Sequence, residues 1–242
     1  MIPIALLRHA YGDHQVHKLA IDAARRSGVS HITYCSLAFG GDCESSSLAF
    51  VMQAHIDTER YLASIAAEDK AFTYTAIREG IYSESFPLYT FFDLSNPVSE
   101  VRIPHDGSGP GVAWAKRSEL GEATAILVAQ HAKAPGEFEH LNKTVLLSGS
   151  RVWTLAETVE AIAKVVGKEV VIRQVSLDEF TQQPVVKSAM SYVSEITAKD
   201  WATVFEAFRA GETAVVSPLL ASVLGREPEP FDVTVRAMAG RK

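Results

Sequence analysis

The chain has only two cysteines, Cys35 and Cys43, in 242 residues. Two thiols build no disulfide framework, which excludes a small stapled secreted scaffold and points to a reducing, cytoplasmic compartment. No apolar run approaches the roughly 18 residues of a membrane-spanning helix. The opening Met1-Ile2-Pro3-Ile4-Ala5-Leu6-Leu7 has no basic stretch ahead of it and no small-residue cleavage site, so no signal peptide is expected. Positive charge is scarce: 23 lysines and arginines face 29 acidic residues, a formal net charge of −6. The two signs are mixed along the chain, so no basic face for nucleic acid is expected. Glycine is missing where a phosphate-binding loop needs it. That loop reads G-x-G-x-x-G between a strand and a helix N-terminus. After the apolar opening comes Arg8-His9-Ala10-Tyr11-Gly12-Asp13, with a single glycine. Gly40-Gly41 and Gly107-Ser108-Gly109 do not sit between a strand and a helix in the required way.

What is present alternates between helix and strand. Apolar residues make up 47% and charged residues 21%, enough for a sizeable core. Ile2 to Leu7 predicts a short strand, with Pro3 suited to an edge. Val16, Leu19, Ala20, Ala23 and Ala24 recur at helical spacing, with Gly28 placed to end that helix. His31 to Leu37 predicts a strand, 38–46 a loop, and Ser47 to Ile65 a helix with Leu48, Val51, Met52, His55, Glu59 and Leu62 on one face. Phe72 to Ile77 predicts the next strand. Short strands are expected at Arg102 to Pro104 and Val112 to Trp114, a helix from Ser118 to about Ala132, and strands at Thr144 to Leu147 and Val170 to Ile172. Thr154 and Glu157 form a capping box ahead of a further helix. From Leu177 the pattern is mainly helical, broken at Pro184, Gly211, Pro218 and Gly225.

This order predicts an α/β fold: a truncated Rossmann-type parallel sheet with a mostly helical C-terminal substrate lobe. Residues 1–242 read as a single domain, with 1–80 and 112–150 as sheet core and 81–111 and 151–242 as the lobe. In the strand order 3-2-1-4-5-6, taking Ile2 to Leu7 as the fourth strand leaves its outer edge bare. A homodimer through that edge is the expected consequence.

Several segments resemble one known family. Ala23-Ala24-Arg25-Arg26-Ser27-Gly28-Val29-Ser30 running into His31 to Leu37, and His55-Ile56-Asp57-Thr58-Glu59-Arg60-Tyr61-Leu62, are similar to a helix, strand and following helix of the NmrA-like family. These are atypical short-chain dehydrogenase/reductases. Thr73 to Phe86 resembles the family's strand and substrate loop. Trp114 to Ala123 resembles its R-x-D-L/Y-x-x-A helix start, with Glu119 for the usual aspartate. Leu147-Ser148-Gly149 with Trp153-Thr154-Leu155, and Gly225-Arg226-Glu227-Pro228, resemble its later elements. The likeness runs over nearly the whole chain from Val16 and is closest to the family's NADPH-dependent quinone oxidoreductases. It implies a domain lacking its first βαβ units, NADP(H) as cofactor, and a carbonyl or quinone-type small molecule as substrate. The alternative is a non-catalytic NmrA-like regulator or scaffold, or an N-terminally truncated fragment without cofactor binding.

Ordinary short-chain dehydrogenases carry Tyr-x-x-x-Lys, in which the lysine tunes the tyrosine as a general acid or base. The positions that align here are Val51 and His55, so the tyrosine is absent and His55 is the one catalytic candidate. A histidine held by Glu59 at the core's edge is its plainer reading. Ser36, Leu37, His55 and Gly80, at or near strand carboxyl ends, are the expected cofactor contacts. Ser36 reads equally well as a group satisfying local backbone. Tyr82, Phe86 and Phe92 would stack on a flat apolar substrate, and read equally well as core. His14 and His17 are spaced H-x-x-H on a helix, but with no third ligand nearby no metal site is expected.

Overall fold

The computed structural model describes residues 14–191 and 196–240. The expected strand at Ile2 to Leu7 lies outside them. In chain order the elements are α1 (His14–Arg26), β1 (His31–Leu37), α2 (Gln53–Glu68), β2 (Thr73–Glu79), α3 (Pro87–Thr90), β3 (Glu100–Ile103), α4 (Arg117–Lys133), β4 (Lys143–Leu147), α5 (Leu155–Val166), β5 (Val171–Gln174), α6 (Leu177–Gln182), α7 (Pro184–Met190), α8 (Ala198–Arg209), α9 (Leu219–Leu224) and α10 (Phe231–Ala239).

The main sheet is parallel, in the order β1-β2-β4. Parallel neighbours need a crossover, and helices supply it on both faces. On one face Ile32, Tyr74 and Ala76 pack with Ile21 of α1 and Leu62 and Ile65 of α2. On the other, Ile77 and Leu147 pack with Leu120, Ala123 and Leu127 of α4 and Leu220 of α9. β2 is central and buried at five consecutive positions, Tyr74 to Arg78. β1 has no strand on its outer side among the described residues.

The lobe holds a second parallel pair, β3 with β5. Its core runs from Phe39 through Phe86, Tyr89, Trp114, Phe180 and Phe208 to Phe231. Trp114 stacks on Phe231 at 5.2 Å and donates its indole N–H to Thr158 Oγ1 at 3.0 Å. A buried indole needs such a partner. The expected strand at Val112 to Trp114 is reduced to one antiparallel bridge between Val112 and Trp153. Gly149 shows why the chain needs glycine there: a Cβ would lie 1.9 Å from the Trp114 carbonyl oxygen.

Two of the family-like motifs turn out to hold helices in place. The Thr154 hydroxyl accepts the Glu157 N–H at 3.0 Å while Glu157 accepts the Thr154 N–H at 2.8 Å, closing the capping box of α5. Arg226 reaches Glu122 of α4 at 2.8 Å. Glu119 accepts the Glu229 backbone N–H at 2.8 Å, and Lys116 pairs with the Glu229 carboxylate at 2.5 Å. The C-terminal signature is therefore a clasp onto α4.

Candidate functional site

The carboxyl ends of β1, β2 and β4 meet the lobe at a crevice lined by Ala38, Gly80, Ile81, Ala113, Ser148, Glu212 and Thr213, among others. This is where an open parallel sheet places ligands. The walls are tied together. The Ala38 N–H donates to the Glu79 carbonyl at 3.0 Å, the Gly80 N–H to the Leu147 carbonyl at 2.7 Å, and the Ala113 N–H to the Thr213 carbonyl at 2.8 Å. Ser148 Oγ accepts the Ser217 N–H at 2.8 Å. The space left is about 10 Å³, near the minimum that holds one water molecule.

Beneath the crevice lies a buried ion pair. Arg78 of β2 donates from Nε to Glu59 Oε1 at 3.0 Å and from a terminal nitrogen to Glu59 Oε2 at 2.7 Å. The arginine side chain is 1% exposed and the glutamate 9%. Ser36 donates to the same Glu59 Oε1 at 2.5 Å. The remaining guanidinium N–H groups reach the carbonyls of Phe39 at 3.1 Å, Gly40 at 3.3 Å and Glu44 at 2.8 Å. Arg78 thus pins the loop after β1 to the sheet.

Of the expected cofactor contacts, only Gly80 lines the crevice. Ser36 is buried and spends its hydroxyl on Glu59, and Leu37 packs against the lobe core. His55 is not held by Glu59, whose oxygens belong to Arg78 and Ser36. Its Nδ1 instead lies 2.8 Å from the Tyr34 hydroxyl, in hydrogen-bond contact, and the same hydroxyl lies 3.3 Å from His17 Nδ1, which is 2.8 Å from Thr58 Oγ1. Burial, then the nearby His17 and Arg78, pull the His55 pKa down to about 3. Burial also pushes the Tyr34 hydroxyl well above its ordinary value. The pair is neutral at pH 7 and sits on the α2 face of β1, not in the crevice.

The residues of the expected aromatic wall are not among those lining the crevice. Phe86 and Phe92 are fully buried, Phe86 against Phe231, and neither lines the crevice. Tyr82 is half-buried and donates to Glu79 Oε2 at 2.6 Å. Among the described residues no group of three His, Cys, Asp or Glu is placed to hold a metal ion. A larger surface groove of about 590 Å³ lies between α5 and α10. Its charges form exposed pairs with one another, Arg151 with Glu157, Lys164 with Glu160 and Arg236 with Asp232.

The residue that sequence reasoning missed is Glu212, just after α8. Its carboxylate accepts the Gly40 N–H at 2.9 Å, the Leu48 N–H at 2.7 Å and the Ser47 hydroxyl at 2.5 Å. With its carboxylate filling the amide cluster and the crevice this small, the described residues as arranged do not fit a nicotinamide dinucleotide.

The doubly wound parallel sheet and its carboxyl-edge crevice define a Rossmann-like α/β fold. Within that class the chain is an NmrA-like oxidoreductase homologue. It is 34% identical over 222 residues, 92% of its length, to the NmrA-like family domain-containing oxidoreductase flvB of Aspergillus flavus, of which that stretch is 66%. It is 30% identical over 164 residues to quinone oxidoreductase 2 of Escherichia coli, covering 68% of this chain and 50% of that protein. The chain thus spans about half to two thirds of these relatives' lengths. The crystal structure of the Escherichia coli NADPH-dependent quinone oxidoreductase QOR2 with NADPH superposes with a TM-score of 0.67 at 23% identity, covering 92% of this chain and 70% of that one. No family model matches. No helix among the described residues is long and apolar enough to cross a membrane.

Proposed function

We propose that the chain serves an NAD(P)H-dependent oxidoreductase acting on a carbonyl or quinone-type small molecule. The observation that carries this is the crevice at the carboxyl ends of three parallel strands, in a chain homologous to NmrA-like oxidoreductases. In this reading Gly80, Ala38 and Ser148 form the floor against which a ligand lies once the crevice opens. Gly80 keeps that floor low, because a Cβ there would come within 2.8 Å of the Leu147 carbonyl oxygen. No chemical step is assigned to His55, which the structure holds in a neutral hydrogen-bonded cluster outside the crevice.

The test is NADPH consumption with a panel of quinones and aldehydes, together with an NADPH titration read by tryptophan fluorescence. Turnover with at least one acceptor is expected. NADPH affinity is expected to be weaker than low micromolar, since the amides of the 40–48 loop are already taken by the Glu212 carboxylate. The absence of both binding and turnover would overturn the reading.

Among the described residues β1 has no neighbour on its outer side, and an exposed strand edge offers N–H and C=O groups to another chain. We expect light scattering after size exclusion to show a dimer that pairs through β1. A monodisperse monomer would count against it.

A further inference from the structure

The loop between β1 and α2 is polarised. Its carbonyls at Phe39, Gly40 and Glu44 turn inward to the Arg78 guanidinium. Its N–H groups at Gly40 and Leu48, with the Ser47 hydroxyl, turn the other way onto one carboxylate, that of Glu212. The backbone allows this because Gly40, Gly41 and Cys43 all have positive φ, +81°, +57° and +60°. At Gly40 a side chain is also barred by space, since a Cβ would lie 2.9 Å from the Ser46 carbonyl oxygen. Two amides eight residues apart and one hydroxyl thus converge on a single carboxylate.

Two further features separate this from an ordinary loop tether. No lysine, arginine or histidine forms an ion pair with Glu212 among the described residues, so its charge is met by the loop's neutral donors. The loop's carbonyl side is also held by a separate set of bonds, from Arg78, which is itself paired with Glu59. Glu212 itself lines the crevice beside Gly80 and Thr213.

We propose that the 40–48 loop is a receptor for the carboxylate of a small-molecule ligand, and that Glu212 is its built-in competitor, closing the crevice until that ligand displaces it. A carboxylate is the match because the occupant is one. The exposed Asp42 and Glu44 flank the loop and disfavour a doubly charged phosphate. This rests on geometry alone and needs neither NADPH nor turnover, so its failure is distinct from failure of the oxidoreductase reading.

The test uses the full chain, with acetate, inorganic phosphate and chloride as probes at matched ionic strength. The measurement is the shift in melting temperature, since a ligand that binds only the folded state stabilises it by mass action. Glu212→Ala is expected to melt below the wild type and to recover with acetate. Wild type should gain nothing from acetate beyond chloride. Adding Ser47→Ala to Glu212→Ala should abolish the recovery, because it removes one of the donors. Glu212→Gln, which keeps an acceptor but no charge, should respond to acetate between the two. The proposal is overturned if neither Glu212 variant gains more from acetate than from chloride, or if phosphate alone stabilises them. It is equally overturned if both variants fail to fold, because Glu212 would then be a structural strut.

Discussion

Arg78→Met is expected to cost about 3–5 kcal/mol of stability, the usual result of removing one partner of a buried ion pair. The mechanism is specific. Glu59 would be left in a nearly closed site with only the Ser36 hydroxyl as donor. The carbonyls of Phe39, Gly40 and Glu44 would also lose their N–H donors, and an orphaned buried polar group carries its own penalty. Urea denaturation should show a lower midpoint and faster proteolysis in the 38–48 loop. The double variant Arg78→Met/Glu59→Met should recover much of the loss, because it removes the stranded carboxylate. It should not recover all of it, since the loop carbonyls stay without partners. An unchanged urea midpoint for Arg78→Met would contradict the whole description of the site's foundation.

The same residue shows what the sequence makes legible. β1 is read at His31 to Leu37 with both ends correct, because an apolar run is bounded by a left-handed glycine, Gly28 at φ +85°, and by a small-residue loop. β2 is expected to stop at Ile77, where hydrophobicity stops, yet it runs to Glu79. The strand continues because Glu59 neutralises Arg78 from α2, a pairing that no local pattern announces. The helix expected from Ser47 begins regularly only at Gln53, after a 3₁₀ turn at Phe50–Met52. Donors at 40–48 are taken by Glu212 instead of by the helix. That contact spans 172 residues from Gly40 and has no motif around it, so the residue that closes the crevice is the one that spacing could not find. Gly80 does line the crevice, and a glycine at a strand's carboxyl end is a local signal. Phe86 and Phe92 are buried, Phe86 against Phe231, and an aromatic cluster looks the same from the sequence whether it stacks on a ligand or on another ring.

The protein is expected to lose stability between about pH 6.5 and pH 4, well before its carboxylates titrate in bulk. Two imidazoles drive this. His31, at the opposite end of β1 from the crevice, stacks on His131 of α4 with centroids 3.6 Å apart. Its nitrogens meet the hydroxyls of Thr73 at 2.8 Å and Thr33 at 3.3 Å. Burial, then the neighbouring His131, lowers its pKa to about 4. His55 is lowered to about 3 by burial, His17 and Arg78. Both folded values lie below the ordinary histidine value of about 6.5, so in this window the unfolded chain binds more protons than the folded one. Their contribution is therefore complete above that ordinary value and is lost as pH falls toward the folded values. Each neutral-locked histidine is worth up to about 1.4 kcal/mol per pH unit. With His31 only partly shielded from solvent and discounted accordingly, the two together account for roughly 3 kcal/mol by about pH 5. That is a large share of the roughly 5–15 kcal/mol that holds a typical domain together. Urea titrations at pH 7 and pH 5 should show the loss in wild type, and a clearly shallower pH dependence in His31→Gln/His55→Gln, whose amides carry no titrating proton. An equal slope in both proteins would assign the acid sensitivity to other groups instead, among them His105, His131 and His140, whose pKa values burial also lowers.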